Sequence, residues 1–152
     1  MATINATIAI NSGDLTSSPI SINNTMTMMK AGTCHGLENT SGLVRRTFTA
    51  VTEVDLVTTG AQMYGTPTAT TNANKLYIKN TGTSTTDYVS IAMGDATGGE
   101  ELDDGTSKIT LGRLYGGDWM LIPYHGATNV GDVLVKPSTA ETTTVEWMLF
   151  FE

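Results

Sequence analysis

Cys34 and His35 stand side by side, and the second histidine, His125, follows Pro123-Tyr124. A thiolate nucleophile needs an imidazole facing it, normally from a distant part of the chain. Neighbours on a strand point to opposite faces, so Cys34 and His35 do not make that pair. Cys34 with His125 is the arrangement that remains, and both read as incidental loop residues. One cysteine and two histidines without close-spaced pairs fall short of a zinc site, which takes about four ligands. Asp95, Glu100, Glu101, Asp103 and Asp104 crowd one glycine-rich segment. Calcium takes such carboxylates, but their spacing departs from the EF-hand loop, and a solvated acidic loop is the plainer reading. Glu53, Asp55 and Glu146 offer carboxylates for acid–base work, yet nothing in their placement brings two across a groove. Gly-x-Ser-x-Gly and phosphate-loop motifs are absent. The expectation is a protein that is not an enzyme and uses no metal or cofactor.

Other side chains suit contact rather than catalysis. Tyr115, Trp119 and Tyr124 surround one turn, where exposed rings could stack on a sugar. Trp119 lies in an apolar run and reads as core. Met26, Met28 and Met29 form an adaptable apolar cluster, suited to a core or to a subunit contact. With Ile4, Ile8 and Phe150 they make up the candidate interface residues.

Strands must position these groups. Thr3–Ile10 alternates, with Ile4, Ala6, Ile8 and Ile10 on one side. Residues 20–29 alternate again, with Asn23-Asn24 read as a bulge or tight turn. Residues 30–42 read as loop. Residues 43–57 predict one long bent strand or two strands broken near Val51-Thr52. Lys75–Asn80 and Asp87–Gly94 predict a hairpin with a polar tip. Ile109–Leu111, Trp119–Pro123, Asp132–Lys136 and Thr142–Phe151 follow, each bounded by turn residues. Pro123 cannot donate to a ladder and marks a strand end or an edge. The last strand carries Val145, Trp147, Leu149 and Phe151 on one face, and Met148 and Phe150 on the other. That predicts one face in the core and one against a second surface. With about nine or ten strands and no helix, the fold class is all-β: an antiparallel, jelly-roll-like β-sandwich. Residues 1–152 read as one domain, with residues 1–18 as an interacting N-terminal arm.

Composition agrees. Hydrophobic residues make up 39% and charged residues only 15%, so threonine, serine, asparagine and glycine fill the polar surface. β-branched threonine suits a pleated surface and suits helices poorly. A net charge of −7 with one adjacent basic pair, Arg45-Arg46, argues against nucleic-acid binding. A single cysteine excludes an intrachain disulfide. No signal peptide is evident, and no window approaches the roughly 18 apolar residues of a membrane helix. A soluble protein made in a cytoplasm is expected.

From Asn74 to Glu152 the chain resembles small β-sandwich structural proteins of tailed-bacteriophage virions. The resemblance rests on Leu76-Tyr-Ile-Lys-Asn80, Met93-Gly94, Ile109-Thr-Leu-Gly-Arg-Leu114 and Gly116-Gly117-Asp118. It continues through Trp119-Met-Leu-Ile-Pro123, Val133-Leu-Val-Lys-Pro-Ser138 and Thr144-Val-Glu-Trp-Met-Leu-Phe-Phe-Glu152. It covers about half of the chain, and the first 73 residues lie outside it. The resemblance implies a place in the virion, on the capsid or as a neck or tail accessory, and carries over no catalytic residue. The leading expectation is a capsid decoration (cement) protein that binds the major capsid protein as a homotrimer. The Thr3–Ile10 strand would then pair with a neighbour's sheet edge. A tail, neck or fibre-attachment protein and a carbohydrate-binding module are the alternatives.

Overall fold

The computed structural model describes residues 4–13, 20–28, 39–57, 74–94, 108–124 and 132–151. Among these the chain is all-β and antiparallel, with eleven strands. They are β1 (Asn5–Ser12), β2 (Ile20–Thr27), β3 (Asn39–Thr40), β4 (Val44–Phe48), β5 (Val54–Val57) and β6 (Asn74–Asn80). β7 (Tyr88–Gly94), β8 (Lys108–Tyr115), β9 (Trp119–Tyr124), β10 (Asp132–Pro137) and β11 (Thr143–Phe151) complete the set. No helix among the described residues is long and apolar enough to cross a membrane.

β1 and β2 form a two-stranded sheet. The remaining strands build two larger sheets. The first runs β3-β11-β6-β9, with β4 also on β11, and the second runs β5-β10-β7-β8. From β4 onward the pairings are nested. β4 pairs β11, β5 pairs β10, β6 pairs β9 and β7 pairs β8, all antiparallel. The chain therefore behaves as one long hairpin folded over so that alternate segments enter opposite sheets. Side chains from the facing sides of both sheets meet in one core. Val145, Trp147, Leu149, Leu76 and Ile78 come from the first sheet, and Val89, Ile91, Val133, Val135 and Leu56 from the second.

Several sequence expectations hold in detail. The 43–57 segment is two strands, β4 and β5, which enter different sheets. Pro123 sits in β9, at the edge of the first sheet. Others are corrected. β6 and β7 are not a hairpin: β6 pairs β11 and β9, whereas β7 pairs β10 and β8. The 81–87 stretch is an arch that carries the chain from one sheet to the other. β2 runs unbroken through Asn23-Asn24, in continuous register with β1. Ile20, Ile22, Asn24, Met26 and Met28 share one parity, so no bulge is needed. The Ile109–Leu111 strand is longer, Lys108–Tyr115, with a register shift opposite Ile91 and Ala92.

Residues 39–42 are more than loop. β3 and β4 both lie along β11, interrupted at Ser41–Leu43. Gly42 there adopts a left-handed φ of 72°, which breaks the strand. Ser41 patches the ladder at the break. Its N–H donates to the Leu149 carbonyl at 3.0 Å, and its hydroxyl accepts from the Leu149 N–H at 2.9 Å.

Candidate functional site

Strand parity decides which side chains the sandwich shows to its surroundings. In the first sheet Val145, Trp147 and Leu149 point inward, so Glu146, Met148 and Phe150 point outward. The registers Met148↔Tyr77 and Tyr77↔Leu121 put three apolar or aromatic side chains in one row. The next row is Phe150, Lys75 and Pro123. On the other side lies Arg45, Glu146, Lys79 and Trp119. The outer face thus has an apolar and aromatic middle row, flanked on one side by Lys75 between Phe150 and Pro123 and on the other by Arg45, Glu146 and Lys79, with Trp119 at the end of that row. Trp119 is its most prominent ring, 48% exposed, with the Tyr77 ring centroid 6.3 Å away. The core position expected for Trp119 is therefore corrected. Met120, Ile122 and Tyr124 have the inward parity, and Trp119 has the outward one. Arg45 donates from Nε to Glu146 Oε1 at 2.6 Å, and Glu146 is buried. That ion pair holds the charged row in place. The Tyr77 phenol is pushed up from its ordinary pKa of 10.0 by burial and then by the Glu146 charge.

The second sheet presents a shallow crease of about 220 Å³ on its outer face. Lys136, Ser90 and Arg113 form one cross-strand row there. The Arg113 guanidinium lies 4.4 Å from the centroid of the Tyr88 ring, and Tyr115 meets that ring edge-on at 5.5 Å. Two cations beside hydroxyls and a ring can hold an anionic or hydroxylated group. Sequence reading missed this row, because its members come from three separate strands.

The other candidates are distributed as follows. Ile8 and Met26 are exposed on the β1–β2 hairpin, Ile4 is half-buried there, and Met28 is buried. Phe150 is half-buried on the outer face of the first sheet. Met29, Cys34, His35, His125 and the acidic segment 95–104 lie outside the described residues. Glu146 belongs to the first sheet and Asp55 to the second, while Glu53 precedes β5. Of the aromatic trio, Tyr115 and Trp119 are exposed and Tyr124 is buried in the core.

No protein-family model matches this chain, and no curated protein does.

Tyr124 gives the sandwich a pH dependence. It is 3% exposed, and burial, followed by the Asp132 charge, holds its phenol well above the ordinary value of 10.0. A raised folded-state pKa contributes stability in full below the unfolded value and loses it as pH rises toward the folded one. Thermal unfolding between pH 8 and pH 12 should show the wild type losing stability above about pH 10. Tyr124→Phe should flatten that decline. Equal slopes for the two proteins would remove Tyr124 from the explanation.

Proposed function

We propose that the chain is a structural protein of a tailed-bacteriophage virion: a decoration or cement protein that binds the major capsid lattice from outside and stabilises the head. The observation that carries this reading is the outer face of the first sheet. The core is already filled from the inside, yet this face adds Tyr77, Trp119, Leu121, Met148 and Phe150. Trp119 is exposed and the other four are half-buried around it, and apolar side chains that cluster on an outer face, rather than scatter singly, suit an interaction surface. The nested strand order agrees, and we read it as a jelly roll, an architecture used by viral capsid proteins and by lectins. The stretch that resembles virion proteins, residues 74–152, supplies β6 to β11, six of the eight sandwich strands β4 to β11.

In this reading Trp119 and Tyr77 are the anchors, and Arg45, Glu146 and Lys79 form a charged rim. Aromatic anchors dominate binding energy at such surfaces. Many weak, equivalent contacts across the shell then add up through multivalency to resist internal pressure. Trp119→Ala should lower occupancy on capsids at least tenfold, the effect of about 1.4 kcal/mol per contact. The melting temperature should stay unchanged, because the ring lies outside the core. Full occupancy with alanine at position 119 would remove this face from the contact.

The Tyr77–Trp119 pair also favours a second reading, a carbohydrate-binding module, since two exposed rings offer a stacking platform. Glycan-array binding lost in Trp119→Ala would support it, and a silent array would exclude it.

A further inference from the structure

The β1–β2 hairpin has two faces of opposite character. On one, Thr7 bonds Thr25 at 2.8 Å, Thr27 donates to Asn5 at 2.9 Å and Ser21 donates to Asn11 at 2.9 Å. Three cross-strand pairs thus bond one another on this face, which with Asn23 is polar and suits water. The other face carries Ile4, Ala6, Ile8, Ile10 and Ser12 on one side and Ile20, Ile22, Asn24, Met26 and Met28 on the other, with Asn24 opposite Ile8 and Met28 already buried. Ile8, Ile10, Ile22 and Met26 are exposed, Ile10 at 52%. Among the described residues β1 and β2 join no other sheet. An isolated two-stranded hairpin is marginal in water, so this one needs a cover.

We propose that the cover is the same face of further copies of this chain. The hairpins associate face to face and form the uncharged centre of a homo-oligomer. Charge argues for this occupant. The chain carries −7 overall, so copies repel one another across most of their surfaces. Residues 4–13 and 20–28 contain no Asp, Glu, Lys, Arg or His, and copies meet there without repulsion. A partner recognised by charge would find nothing on this face to read. Asn24 argues the same way. Its amide interrupts the apolar β2 row of Ile20, Ile22, Met26 and Met28, and among the described residues its side chain makes no hydrogen bond. A purely apolar partner would strand a polar group, at a cost of about 1–3 kcal/mol. A second copy brings a matching amide, much as a buried asparagine sets register and copy number in coiled coils.

β1 pairs β2 of its own chain along one edge, and the association proposed here runs through the side chains of one face. Addition of the other edge of β1 to a neighbour's sheet, the expectation for Thr3–Ile10, would be a separate contact.

Sedimentation velocity of the full chain at micromolar concentration tests the proposal. The wild type should sediment as an oligomer, three copies being the number the capsid reading expects. Ile10→Asp should sediment as a monomer, and so should the milder pair Ile8→Thr and Ile22→Thr, which keeps β-branched residues in the ladder. The near-ultraviolet dichroism of Trp147, a core residue, should be unchanged in all of them. A monomeric wild type overturns the proposal, as does an oligomer that survives these substitutions. Capsid binding is scored separately, so a monomer that decorates capsids and an oligomer that does not are distinguishable outcomes.

Discussion

Gly116→Ala should lower the melting temperature by about 10 °C, corresponding to a loss of about 3 kcal/mol. Gly116 lies in the arch from β8 to β9, packed against the arch from β6 to β7. A Cβ at this position would sit 2.6 Å from the Ser84 carbonyl oxygen, 2.7 Å from the Ser84 nitrogen and 2.8 Å from the Gly82 carbonyl oxygen. All three are backbone atoms and cannot rotate away. Relief requires the arches to part, which breaks the bond from the Gly116 N–H to the Ser84 carbonyl at 3.0 Å. Gly117 provides the contrast. It has a left-handed φ of 89°, but nothing lies within 4 Å of an added Cβ. Gly117→Ala should therefore cost only the conformational strain, about 1 kcal/mol. Denaturant titration of both variants checks the difference. Equal losses would mean that conformation rather than close packing governs this corner.

Asn80→Ala should be nearly as damaging, at about 2–4 kcal/mol. Asn80 is 2% exposed at the end of β6. Its Nδ2 donates to the Leu114 carbonyl at 3.0 Å, and its Oδ1 accepts from the Gly82 N–H at 2.9 Å. Its backbone N–H donates to the Asp118 carbonyl, and its carbonyl accepts from the Gly117 N–H, both at 3.0 Å. One residue thus ties both arches and the end of β8 together. Alanine keeps the backbone bonds and removes both side-chain bonds. The buried Leu114 carbonyl and the part-buried Gly82 N–H then lose these partners, and an orphaned buried group costs about 1–3 kcal/mol. Chemical denaturation reads the loss directly. A change below about 0.5 kcal/mol would mean that water replaces the amide.

These two residues also show where sequence reading stops. Period-two alternation marks β6 and β11 plainly, because each has one face buried in the core, and β1, whose apolar side is exposed, whereas β10 is buried on both faces and reads as a continuous apolar run. It also marks the outward Met148 and Phe150, which lie half-buried on the outer face of the first sheet. Pairing was not legible. Lys75–Asn80 and Asp87–Gly94 look like the arms of a hairpin, since a polar turn lies between them. What sends them into different sheets is Asn80 and Ser84 bonding to Leu114 and Gly116, partners more than thirty positions away. Trp119 was misplaced for a related reason. Its apolar neighbours suggested core, but its own parity follows Leu121 and Pro123 to the outside. The broken strand at residues 39–48 was hidden because a serine hydroxyl replaces a backbone group at Ser41. Parity along β2 was readable, and Asn24 belonged to the apolar row from the start.

The capsid reading is tested most directly by mixing the purified chain with capsids that lack it and imaging them by cryo-electron microscopy. Added density is expected on the outer shell at lattice symmetry axes, in hundreds of copies per particle, with the Trp119 face against the capsid. Bare shells with the protein left free in solution would contradict it, and density confined to the neck or tail in a few tens of copies would contradict the decoration role.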